Sequence, residues 1–87
     1  MELEQLRIKI DEIDERILAL LSERAGIAEK IGQFKIDNNL SIKHTEREEE
    51  ILTRLVDQNK GPLSPEYVNL IFKNIIKACR NLQKNLD

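Results

Sequence analysis

The chain has 87 residues, 34% of them charged and 40% hydrophobic, with three aromatic residues, one cysteine and a net charge of −2. One cysteine excludes an internal disulfide, a single histidine without cysteine or histidine at ligand spacing argues against a metal centre, and the lack of a Lys/Arg block argues against nucleic acid or an anionic membrane. No stretch approaches the ~18 apolar residues of a membrane span, the opening "MELEQLRIKI" lacks a signal-peptide core, and a cytoplasmic protein of one domain, residues 1–87, is expected.

A helical pattern without proline runs from about Leu3 to Ile36, with Gly26 and Gly32 inside it. Stepping by threes and fours, Leu3, Leu6, Ile10, Ile13, Ile17, Leu20, Arg24, Ile27, Ile31 and Phe34 share one face, and all but Arg24 are large and apolar. A helix of that length spans on the order of 50 Å. A globule of this chain length has a radius of gyration near ~12 Å, so the helix must protrude, and its apolar seam predicts pairing with a second copy. An exposed-face ion pair between Glu12 and Arg16 would support it.

"DNNLSIKH" breaks the pattern, with Asn38 or Asn39 suited to a left-handed C-cap. "TERE" has the form of a capping box, Thr45 at the N-cap and Glu48 three positions on, and predicts a second helix to about Asn59 with Ile51, Leu52, Leu55 and Val56 inward. "KGPLSPEY" is a loop ending in a start signal, Ser64 as N-cap and Pro65 at the first helical position. The third helix then runs to near the C-terminus with Val68, Ile71, Phe72, Ile75, Ile76, Cys79 and Leu82 inward. The expected fold class is all-α: three helices, the first long, in a homodimer paired along that first helix.

Polar residues interrupt these apolar faces. Arg24 continues into the row Ala28, Ile31, Lys35, and in the third helix Phe72, Ile76 and Cys79 lead to Gln83. A buried guanidinium requires an anion. Either an internal carboxylate, from Glu23, Glu29, Glu48 or Glu49, pins Arg24 as a register device, or the anion is a ligand. Arginine matches a carboxylate with a planar fork, lysine offers a compact charge and glutamine a neutral donor. Together they suit a small dicarboxylate carrying an ether or carbonyl oxygen.

"LRIKIDEIDERILALLSER" from Leu6, "GQFK" ending at Lys35, "TEREEEIL" from Thr45 and "ACRNLQ" from Ala78, in this order and spacing, resemble the all-helical class of chorismate mutases over nearly the whole chain. The resemblance implies an intertwined three-helix homodimer with two active sites that convert chorismate to prephenate without cofactor or metal. It implies that Arg7 reaches a substrate carboxylate from the partner subunit, and that Arg24 and Arg47 hold the carboxylate regions. Lys35 and Gln83 would meet the ether oxygen of the breaking bond, and Glu48 would lie near the substrate hydroxyl. Lys35, Gln83, Arg24 and Glu48 are thus the expected catalytic residues; Arg7, Arg47, His44 and Cys79 complete the expected binding set.

Two positions depart from the common family pattern. His44 stands where many members carry an aspartate near the substrate hydroxyl, and Cys79 where a small serine or alanine is common. The cysteine reads as a small hydrophobe. The histidine is either loop surface or a contact that makes the site responsive to pH. Other readings compatible with these residues are isochorismate-pyruvate lyase or aminodeoxychorismate mutase of the same fold, and a non-catalytic helical dimerisation or regulatory module. Glu48 directly after Arg47 favours the mutase.

Overall fold

Thirty-five consecutive residues, Leu3–Asp37, form one helix, α1, in the computed structural model, which describes residues 2–84. Two shorter helices follow, α2 over Thr45–Gln58 and α3 over Pro65–Lys84. The molecule measures 55 × 24 × 14 Å with a radius of gyration of 16.0 Å, so α1 alone sets its long dimension. α3 packs against both other helices and joins them at the C-terminal half of α1.

The nine apolar residues of the α1 seam, Leu3 through Phe34, all remain 41% to 64% exposed. The α1 residues that lose solvent belong to a second row: Ala28 and Gly32 are buried, and Leu21, Ala25 and Ile36 are half-buried. Small side chains here let α3 lie close, while the large ones face away. On α3 the buried residues are Val68, Ile76 and Cys79, flanked by half-buried Phe72 and Ile75. Ile71 and Leu82, which periodicity turns inward, stay 44% and 37% exposed because no described element of this chain covers that side. Ile51, Leu52, Leu55 and Val56 form the half-buried face of α2 as expected.

Helix ends follow local chemistry in two places and depart from it in one. At the end of α1, Asn39 takes the left-handed conformation with φ 57°, Leu40 N–H donates to Lys35 O at 2.7 Å and Asn39 N–H to Ile36 O at 3.2 Å. These are the paired bonds of a Schellman end, completed by Asn38 Nδ2 on Phe34 O at 2.8 Å. Before α3, Ser64 Oγ accepts from Tyr67 N–H at 3.3 Å, the cap expected ahead of Pro65. The expected capping box at Thr45 does not form: His44 is the N-cap residue, without a side-chain cap bond, and Thr45 already lies in the helix. Glu48 N–H donates to His44 O, while the Glu48 carboxylate is drawn away to α3. Among the described residues the ion pair on α1 is Arg7 with Glu4 at 3.1 Å, and Glu12 and Arg16 do not pair with each other.

Ser64→Ala should lower unfolding free energy by about 1 kcal/mol in urea titrations at fixed protein concentration. At Asn39 the backbone conformation decides the sign. Asn39→Gly should be neutral or stabilising, whereas Asn39→Val should cost roughly 1–2 kcal/mol by the same titration.

Candidate active site

Where α3 crosses the C-terminal half of α1 and α2 closes from the other side, the helices leave a cavity of about 260 Å³. Its apolar lining comes from Ile27, Ala28, Ile31, Ile42, Ile51 and Ile76, with Cys79. Its polar lining is Arg24 and Lys35 from α1, His44, Arg47 and Glu48 from the start of α2, and Arg80 and Gln83 from α3. Residues far apart in sequence thus converge on one space. The spacing explains why: Arg24, Ala28, Ile31 and Lys35 advance by four, three and four along α1, and Ile76, Cys79 and Gln83 by three and four along α3.

Seven of the eight residues expected from sequence line this cavity, and the eighth, Arg7, does not. Arg7 lies seventeen residues before Arg24 on the same helix, about 25 Å away along the axis. Its side chain is 64% exposed and, among the described residues, is held by Glu4, so within one chain it lies away from the pocket.

The ion pairs among the described residues are Arg7 with Glu4, Arg47 with Glu50 and Arg80 with Glu48, and Arg24 takes part in none. No carboxylate among those residues neutralises the cation in the seam. Lys35 is only half-buried and donates from Nζ to the backbone oxygen of Ile42 at 3.0 Å, which aims the ammonium across the pocket mouth and leaves two further N–H donors. Arg47 pairs one turn along its own helix with Glu50 at 2.8 Å, an exposed contact that a ligand displaces at little cost. Cys79 is buried in the floor, and His44 is exposed at the rim where the connecting segment enters α2. The polar lining therefore differs by element: cations without an ion pair on α1, and the paired carboxylate of Glu48 where α2 meets α3.

Arg80 is the charged pocket residue that the sequence pattern does not single out. Its Nη1 donates to both oxygens of Glu48, at 2.9 and 2.8 Å, across 32 residues of sequence. The two side chains are 20% and 23% exposed, far less than the other ion pairs, and Arg80 Nε is buried without a hydrogen-bond partner. The signal is present in the spacing, since Arg80 lies four residues after Ile76 and three before Gln83.

The three-helix order and the residue pattern have counterparts in known proteins. Residues 6–84 match the family model for chorismate mutase type II. The chain is 44% identical over 89 aligned positions to the bifunctional chorismate mutase/prephenate dehydratase of Aquifex aeolicus, and 36% identical over 73 to that of Escherichia coli. These alignments cover 98% and 83% of this chain but only 25% and 19% of the relatives, so the chain spans about a quarter of the length of the curated relatives it matches. Among solved structures, form II of the Thermus thermophilus chorismate mutase superposes with a TM-score of 0.95 at 35% identity, covering 98% of this chain and 97% of that one. A conserved hypothetical protein from Pyrococcus furiosus superposes with a TM-score of 0.78 at 36% identity, over 93% of each chain. With the family model spanning all three helices and every polar residue of the cavity, the chain belongs to the chorismate mutase type II family.

Proposed function

We propose that this chain is an isomerase that rearranges chorismate to prephenate on the route to phenylalanine and tyrosine, acting in the cytoplasm as an intertwined homodimer of single chorismate mutase domains. The observation that carries the reading is the gathering of Arg24, Lys35, Arg47, Glu48 and Gln83 around one apolar-walled cavity in which Arg24 pairs with no carboxylate of the described residues. An uncompensated guanidinium in a helix seam is costly unless a ligand supplies the anion.

The reaction breaks one C–O ether bond as one C–C bond forms, within a single molecule. It transfers no proton, so the site needs no nucleophile and no base. It needs shape and charge. Arg24 and Arg47 clamp the carboxylate regions of the dianion and hold it in the compact, chair-like conformer in which the reacting carbons meet. Lys35 and Gln83 donate to the ether oxygen, where negative charge grows in the transition state. Lys35 is suited to this because its bond to Ile42 O fixes the ammonium before substrate arrives. Glu48, held as an acceptor, takes the hydrogen bond of the ring hydroxyl, with His44 at the same rim and Cys79 as a small apolar floor.

The dimer follows from the nine exposed seam residues, a stripe along the whole of α1 that a second copy of the same stripe would cover. It also gives Arg7 its role. Carried on the protruding half of α1, Arg7 lies far from its own pocket, and an antiparallel partner would bring it to the other one.

Chorismate loss followed by ultraviolet absorbance, with prephenate identified as product, tests the reaction. Lys35→Ala should reduce turnover by about 100- to 1000-fold while the helical circular dichroism is unchanged. A well-folded chain that leaves chorismate untouched would sink the reading. Arg24→Leu should also abolish turnover, yet its unfolding free energy should stay within about 0.5 kcal/mol of the parent or rise, since it removes a cation without an ion pair. The shared site has its own test: inactive Arg7→Ala and Arg24→Leu chains, unfolded together and refolded as a mixture, should regain about a quarter of parental activity. Half of the dimers would be mixed, and each of those would hold one intact site. No recovery, or a monomer by sedimentation at micromolar concentration, would remove the shared site.

A further inference from the structure

Resting on the reading of Glu48 as the residue that meets the substrate's ring hydroxyl, we propose that Arg80 is a positioning residue that makes this end of the pocket select a neutral hydroxyl over an ammonium group. The two oxygens of Glu48 both accept from Arg80 Nη1, at 2.9 and 2.8 Å. Each oxygen has two lone-pair sites, so one remains on each after Arg80 has bound. Glu48 therefore keeps its capacity to accept a hydrogen bond and loses its freedom to turn. The contact also cancels its charge, because a guanidinium sits against a carboxylate in a place only about a fifth exposed.

What that end of the pocket offers a substrate is an oriented acceptor within a neutral pair. A hydroxyl requires only the acceptor. An ammonium in the same place would lose its water, gain no net counter-charge from the pair and lie near the Arg47 cation, which lines the same cavity. Among the described residues Arg80 has no competing partner: Nη1 is committed to Glu48, and Nε is buried without one. Its position on α3 ties the pair to the helix that forms the pocket floor, so Glu48 is held from a different element than the one that carries it.

The experiment compares kcat/KM for chorismate with that for its analogue bearing an amino group in place of the ring hydroxyl. It uses the parent, Arg80→Met, Glu48→Gln, the double variant and Arg80→Lys, each checked for fold by circular dichroism. Arg80→Met bares the Glu48 carboxylate, and the preference should move toward the amine by about tenfold or more. Glu48→Gln bares the Arg80 cation, and the preference should move the other way. The double variant restores a neutral pair and should return the preference to within about threefold of the parent, and it also serves if a bared charge unfolds a single variant. Arg80→Lys should keep the parental preference, since one nitrogen suffices for both contacts.

Equal loss on both substrates in Arg80→Met, with the preference unmoved, would overturn the proposal and leave the mutase reading intact. A parent chain that turns over neither substrate would overturn both.

Discussion

A 35-residue helix in an 87-residue chain is longer than the rest of the chain can cover, and the architecture follows from that mismatch. α2 and α3, of 14 and 20 residues, suffice to flank one half of α1. α3 packs there against the small residues Ala28 and Gly32 of α1 and carries α2 on its other side, while the large apolar side chains of the seam look outward. The division is economical in area. Small residues bring backbones close where a floor is needed, and the large ones form an exposed apolar stripe along the helix.

The same division places the charges. A cation at a seam position, such as Arg24, would meet apolar neighbours on both sides if the seam were buried uniformly. It instead falls where the seam runs past the edge of α3 and a cavity opens. Lys35, close to the helix end, is steadied by the connecting segment through Ile42 O. Where α2 meets α3, Glu48 is neutralised by Arg80. The cavity is therefore polarised by backbone topology, with uncompensated positive charge on α1 and a neutral acceptor at the junction of α2 and α3.

Much of this is legible in the residues. The 3.6-residue period gives α1 within one residue at its end, Ser64 and Pro65 mark the start of α3, and Asn39 sits in the left-handed conformation that asparagine tolerates. Periodicity also brings Arg24, Lys35 and Gln83 inward, and motif resemblance adds Arg47, Glu48, His44 and Cys79, all of which line the cavity. What escapes is long-range. "TERE" satisfies the capping-box pattern locally, but the Glu48 carboxylate finds a stronger partner 32 residues away, and local propensity yields to a charged contact in a half-buried place. Arg80 escapes for the same reason, since a surface arginine and a pocket arginine look alike until the neighbouring helix is in place. Ile71 and Leu82 read as inward because a period identifies an apolar face without saying whether another element of the chain covers it.

The bond from Lys35 Nζ to Ile42 O closes a ring of eight residues, Lys35 to Ile42, through the tip of a side chain. Surface connections between helices ordinarily absorb insertions and deletions at small cost. This one has a fixed gauge. Leu40 N–H is bonded to Lys35 O at one end and His44 O accepts from Glu48 N–H at the other, so the intervening backbone must present the Ile42 oxygen at one height above the pocket mouth. Adding or removing a residue between Ser41 and Lys43 would leave the helices standing while turning the ammonium away from the cavity. The length of that connection, rather than its composition, is the property under constraint.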